Sequence, residues 1–125
     1  MTRAGDPRHA LGAEGEAVAE RWLRGAGLVV VARRFRTRGG EIDLIVRDGG
    51  VLVFVEVKLR SREDFGRPAE AVTAVKQRRL VRAAALYLTT SGGSDGPCRF
   101  DVVEVRPAPG AWAVTHIPDA FRPRD

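Results

Sequence analysis

Apolar residues recur at helical spacing from His9 to Ala26, at Leu11, Val18, Ala19, Trp22, Leu23 and Ala26, and Gly25 and Gly27 supply a stop. Leu28-Val29-Val30-Val31 then opens a β-branched run to Arg36 that predicts a strand. Two alternating stretches, roughly 40–47 and 51–59, predict a pair of strands around Asp48-Gly49-Gly50-Val51. Residues 61–68 read as a polar loop containing Gly66 and Pro68. A second helix follows from about Glu70 to Leu88, its apolar side made of Val72, Val75, Leu80, Ala83, Ala84, Tyr87 and Leu88. Thr73 is placed to cap it, which would move its start inward by a turn. After a glycine-rich loop at 91–97, Arg99–Val105 and Trp112–Ile117 predict two more strands, and the tail from Asp119 reads as frayed.

The order is therefore α-β-β-β-α-β-β. Short links make the first three strands an antiparallel meander. The helix between the third and fourth strands makes a right-handed crossover that leaves those two parallel. The expectation is one α/β domain over residues 1–125, core at about 9–117, with a mixed five-stranded sheet and helices on its faces.

Polar residues interrupt this pattern in one place. A two-residue turn centred on Gly49-Gly50 sets Asp43 opposite Glu56 and Glu41 opposite Lys58. Facing residues share a side of the sheet, with Cβ atoms about 4.5–5.5 Å apart. The other side carries Ile42, Leu44, Val46, Val51, Val53, Val55 and Val57, all apolar. Two opposed carboxylates destabilise a sheet unless a cation lies between them. A divalent ion such as Mg²⁺ accepts carboxylates, a backbone carbonyl, waters and substrate phosphate. The plain alternative is a solvated sheet end, with Glu41–Lys58 and Asp43–arginine pairs.

Composition sharpens the choice. The chain has 125 residues, a net charge of +5 and a pI near 10.6, a balance that favours a polyanionic partner such as nucleic acid. Of its 21 basic residues only Lys58 and Lys76 are lysine, and lysine alone of the two types can shift its pKa readily. Arg33, Arg34, Arg36 and Arg38 lead into the hairpin, and Arg60 and Arg62 follow it, so all six could surround the acidic cluster with phosphate-binding charge. Lys76 opens the helical run KQRRLVR, which reads either as a solvated face or as a group approaching a scissile phosphate. No apolar run is long enough to span a bilayer, there is no secretory-type apolar segment, and Cys98 is the single cysteine. These features point to a cytoplasmic protein with no membrane partner. Asp101 reads as structural, Trp22 and Trp112 as core, and His9, His116 and Cys98 have no ligand or nucleophile spacing.

Asp43 followed by Glu56-Val57-Lys58 resembles the signature of the PD-(D/E)XK nuclease superfamily, which has the restriction-endonuclease-like fold. Gly12-x-x-Gly15-Glu16, GEIDLI at 40–45, VFVEVKLRS at 53–61, Lys76 with Leu80, and RFDVV at 99–103 resemble more closely the bacterial YraN-like family, related in fold to archaeal Holliday-junction resolvases. Ile42 stands where the superfamily usually has proline. The resemblance implies Asp43 and Glu56 as metal ligands with the Val57 carbonyl, Mg²⁺ or Mn²⁺ as the metal, and Lys58 serving the attacking water. Glu16 matches a helix-borne glutamate that related resolvases hold near the metal. The activity implied is a metal-dependent endonuclease, on DNA rather than RNA and on branched structures by analogy. A homodimer, or a protein partner in repair or recombination, is compatible with it. The competing readings are a non-catalytic nucleic-acid-binding accessory module and, less well matched to the charge, an interaction scaffold.

Overall fold

The hairpin turn fixes the middle of the fold. In the computed structural model, which describes residues 7–61, 72–90 and 96–123 and only the backbone of 7–11, Gly49 has φ 58° and Asp48 pairs with Val51. Helix α1 (Pro7–Gly25) precedes strands β1 (Val29–Arg36), β2 (Glu41–Asp48) and β3 (Val51–Leu59). Helix α2 (Ala74–Thr90) then leads to β4 (Cys98–Ala108) and β5 (Ala111–Phe121). The sheet runs β1-β2-β3-β4-β5, and β3–β4 is its parallel joint. This is the expected mixed five-stranded α/β architecture.

Each helix covers one face. Val18, Ala19 and Leu23 of α1 pack on Leu44, Val46, Val53, Val55, Val103 and Val105. Leu80, Ala83 and Ala84 of α2 pack on Ile45, Leu52, Phe54, Phe100 and Val102. The alternation of strand side chains sends each set to its own layer. Gly15 lets α1 settle close, because a Cβ there would lie 3.0 Å from Val105 Cγ2 and 3.3 Å from Leu59 Cδ1.

Several local expectations change. Helix α2 starts at Ala74 because Thr73 caps it, its Oγ1 accepting from Lys76 N–H at 3.2 Å; residues 70 and 71 lie outside the described set. Val75, expected on the apolar side, is half exposed in that first turn. The tail expected to fray continues β5, since Phe121 pairs with Phe100 and stacks on it at 4.9 Å between ring centroids. Trp22 is 46% exposed rather than core, an indole being hard to cover completely, whereas Trp112 packs against the α1-side cluster. Ile42 also departs from its expected face: it joins Ile45 and Phe54 under α2. The reason lies at the neighbouring residue, Asp43.

Candidate functional site

The β2–β3 register is the one the turn implies, from Asp48–Val51 through Leu44–Val55. Narrow, doubly bonded pairs alternate along an antiparallel ladder, so Ile42–Val57 should be the next after Leu44–Val55. Instead, Val57 N–H donates to Asp43 Oδ2 at 2.8 Å. The aspartate side chain takes the amide that the backbone would have used. The regular ladder ends there, and with it the alternation that would have held Ile42 beside Leu44.

Asp43 and Glu56 lie beyond that break and line one cleft, close enough for their carboxyl groups to interact. Glu56 is 4% exposed on β3. Burial first, then the Glu56 carboxyl, push the Asp43 carboxyl up from its ordinary 3.8 to about 8; the Val57 amide pulls the other way and the nearby Glu16 charge adds to the rise. Lys76 Nζ reaches in from α2 to 2.9 Å from Glu56 Oε2. The contact is an ion pair without hydrogen-bond geometry, so that buried oxygen has no hydrogen-bond partner. Gly40, Glu41, Asp43, Glu56, Thr73 and Lys76 line a cleft of about 370 Å³ between the β2–β3 end and α2.

Glu16 comes near because Gly15 seats α1 closely on the sheet, and it accepts from Arg34 Nη2 at 2.9 Å. Arg34 is the β1 residue level with Asp43, between the pairs Arg33–Leu44 and Phe35–Ile42. Its backbone is left-handed, φ 50°, a conformation that costs a side-chain-bearing residue about 1–2 kcal/mol. Lys58 is half-buried on β3, level with Glu104, and forms no ion pair among the described residues.

The basic residues divide into two sets. Arg33 holds Glu20 with two bonds of 2.6 and 2.8 Å, Arg34 holds Glu16, Arg36 meets Glu41 at 3.2 Å, and Arg60 bonds Glu104 at 3.0 Å. Arg38, by contrast, has no acidic partner among the described residues, and neither do Arg79 and Arg82 of α2. Arg62 lies outside the described set. Sequence reasoning missed both the Lys76–Glu56 contact and the engagement of Arg33 and Arg34 by α1. The second had a signal, since Glu16 and Glu20 lie four apart on one helix face ahead of an Arg-Arg strand.

The arrangement fits a hard divalent cation in one respect and is sparse in another. Two opposed carboxyls, one with an unbonded buried oxygen, are what such an ion relieves. Among the described residues no three His, Cys, Asp or Glu side chains form a cage, but Mg²⁺ commonly takes only one or two carboxylates. No helix among the described residues is long and apolar enough to cross a membrane.

Comparison with known proteins agrees over most of the chain. A UPF0102 protein of Symbiobacterium thermophilum is 58% identical over 112 residues, covering 89% of this chain and 95% of that protein. One from Anaeromyxobacter dehalogenans is 49% identical over 117 residues, 94% of this chain and 87% of the relative. A third, from Dechloromonas aromatica, is 55% identical over 103 residues, 82% and 84% of the two chains. The model of the Uncharacterised protein family UPF0102 matches residues 15–105, which spans the glycine–glutamate motif of α1, the hairpin carboxylates, α2 and most of β4. The chain belongs to the UPF0102 family, the YraN-like family that its motifs resemble.

Proposed function

We propose that the protein is a Mg²⁺- or Mn²⁺-dependent nucleic-acid phosphodiesterase of the PD-(D/E)XK type, acting as an endonuclease on DNA and on branched forms of it. One observation carries the reading. Glu56 Oε2 is buried without a hydrogen bond against a second carboxyl whose pKa is pushed up to about 8. A buried, under-satisfied acidic pair is costly to fold and gives nothing back to stability. Its value lies in binding a cation.

Asp43, Glu56 and the Val57 carbonyl would hold the metal, which when bound would withdraw charge from the phosphodiester and favour ionisation of water. The chain's own groups do the rest. Asp43 is fixed by its bond to Val57 N–H and lines the cleft. Lys76 neutralises Glu56 and borders the cleft where a phosphate would lie. Lys58, two residues from Glu56 on the same strand, forms no ion pair among the described residues; its ammonium is available to orient water, and only as the neutral amine could it take a proton from water. Attack in line on phosphorus forms one P–O bond and breaks the bond to the 3′ oxygen, leaving 5′-phosphate and 3′-hydroxyl ends.

A second reading, a nucleic-acid-binding accessory module, draws on a different observation. The protein's own Lys76 already counters Glu56, and no third acidic or imidazole ligand joins the pair among the described residues. The test is a panel of duplex, flap, fork and four-way DNA incubated with Mg²⁺ or Mn²⁺ beside Glu56→Ala. Cleavage that requires both the metal and Glu56 is the expected result. Binding without cleavage on every substrate would leave the accessory module.

A further inference from the structure

Beside the carboxylate cleft lies a second cavity of about 580 Å³, between the link from β1 to β2 and helix α2. Its charged lining is Arg36, Arg38, Arg79 and Arg82 against the single carboxylate of Glu41. It shares Gly40, Glu41 and Arg79 with the cleft that holds Asp43 and Glu56. The link is pressed onto the helix: a Cβ at Gly40 would sit 2.9 Å from the Arg79 carbonyl oxygen, so only glycine allows this approach. Thr37 rigidifies the turn, its Oγ1 accepting from Gly39 N–H and Gly40 N–H at 3.1 and 3.0 Å while its own N–H donates to the Gly40 carbonyl. Those amides are therefore spent within the turn. The guanidinium groups are the charged donors left to an anion in the cavity.

The charge is concentrated and only partly compensated. Arg38, Arg79 and Arg82 have no acidic partner among the described residues, whereas Arg33, Arg34, Arg60 and Arg99 all do. Arg36 is met by Glu41 at 3.2 Å, but the three remaining like charges, brought together by a glycine contact, repel one another unless an anion enters. A guanidinium fork matches the geometry of phosphate oxygens. We infer that this cavity is a phosphate-binding subsite that seats the phosphate next to the one presented to Asp43 and Glu56, with Arg79 and Arg82 as its principal contacts. The inference rests on the phosphodiesterase reading for its ligand, a nucleic-acid strand, and adds where that strand runs: from the carboxylates, past Arg79, toward Arg82.

Fluorescence anisotropy with 3′-labelled oligonucleotides, carrying either a 5′-phosphate or a 5′-hydroxyl, tests this across a salt series. Arg79→Ala/Arg82→Ala should weaken binding by about tenfold for each guanidinium, the scale of a charge-assisted hydrogen bond. The slope of log affinity against log salt should fall by about two. Arg47→Ala, at the far end of β2 and likewise without an acidic partner among the described residues, should change affinity little. Gly40→Ala leaves the net charge intact but wedges the turn from the helix, and should weaken binding several-fold with an unchanged fold by circular dichroism. Loss confined to the 5′-phosphate probe would mark a pocket for a strand end; equal loss with both probes would mark an internal phosphodiester. Double-variant binding equal to that of Arg47→Ala overturns the subsite. If the wild type still cleaves, that failure leaves the phosphodiesterase standing; a wild type that neither binds nor cleaves overturns both.

Discussion

Asp101 and Glu56 lie on adjacent parallel strands, one residue apart in register, and both are buried. Strand alternation puts them on opposite faces. Asp101 is fully satisfied: Arg99 bonds both its oxygens at 2.9 and 3.2 Å, His116 Nε2 lies 2.8 Å from Oδ2, and Asp119 N–H donates to Oδ1 at 3.0 Å. Arg99 in turn reaches Asp48 at 2.9 Å, tying the hairpin turn to β4. Glu56 instead lies against another carboxyl, and its Oε2, though 2.9 Å from Lys76 Nζ, makes no hydrogen bond. The same residue class at the same depth therefore does opposite work. A satisfied buried carboxylate ties strands together, while an unsatisfied one is what a bound cation would relieve, as the proposed function requires.

The sharpest way to break this contrast is to remove the satisfied member. Asp101→Ala should cost on the order of 3 kcal/mol, because it takes the buried partner from half-buried Arg99 and His116 and leaves the Asp119 amide unpaired. Urea melts measure it; a loss under 1 kcal/mol would make the network ornamental. Next in size is the chemistry at the unsatisfied member. Lys58→Arg should keep DNA binding yet slow single-turnover cleavage by about a hundredfold or more, since guanidinium cannot serve as a base at neutral pH. Lys76→Arg, which preserves the charge beside Glu56, should cost much less. Equal losses would move the catalytic role to Lys76, and near-wild-type rates for Lys58→Arg would remove Lys58 from it.

Linkage to pH and metal bears on the same contrast. The Asp43 carboxyl binds its proton more tightly folded, at about 8, than unfolded, at 3.8. Its contribution to stability is therefore fully present below about pH 4 and is lost as pH rises toward 8. Metal-free protein should melt progressively lower across that window, and Asp43→Asn should flatten the trend. Mg²⁺ at a hundredfold excess over Kd should restore about 2.7 kcal/mol near pH 8 in the wild type alone. Smallest of all, Glu56→Gln should alter metal-free stability by less than about 1 kcal/mol, in contrast to Asp101→Ala. A calorimetric series across these variants would expose any departure.

Much of this was legible in the sequence. Asp48-Gly49-Gly50-Val51 set the register as far as Leu44–Val55, and that register brings Asp43 and Glu56 to one cleft. Periodicity gave both helices and their layers. It could not give the side chain of Asp43 displacing a backbone partner, because alternation presumes an unbroken ladder; hence Ile42 changed layers. Nor does a one-dimensional pattern say which arginine meets which glutamate. Arg33, Arg34 and Arg38 look alike on paper, but the close seat of α1 claims the first two through Glu20 and Glu16. Lys76 and Glu56 meet only through tertiary packing, across a segment with no local signal.

The single parallel joint of the sheet has a kinetic consequence. β1, β2 and β3 are linked by tight turns, and hairpins of this kind close in about 1–10 μs. β4 can dock on β3 only after everything between Leu59 and Cys98 has been gathered in, a loop closure that delays reward. Asp43 and Glu56 are thus brought together early, by local structure, while the helix carrying Lys76 arrives late. For that interval the nascent hairpin carries its two acids without their ammonium. A divalent ion present during synthesis would meet a bare acidic pair before the protein's own cation does, and refolding rates measured with and without Mg²⁺ should diverge at that step.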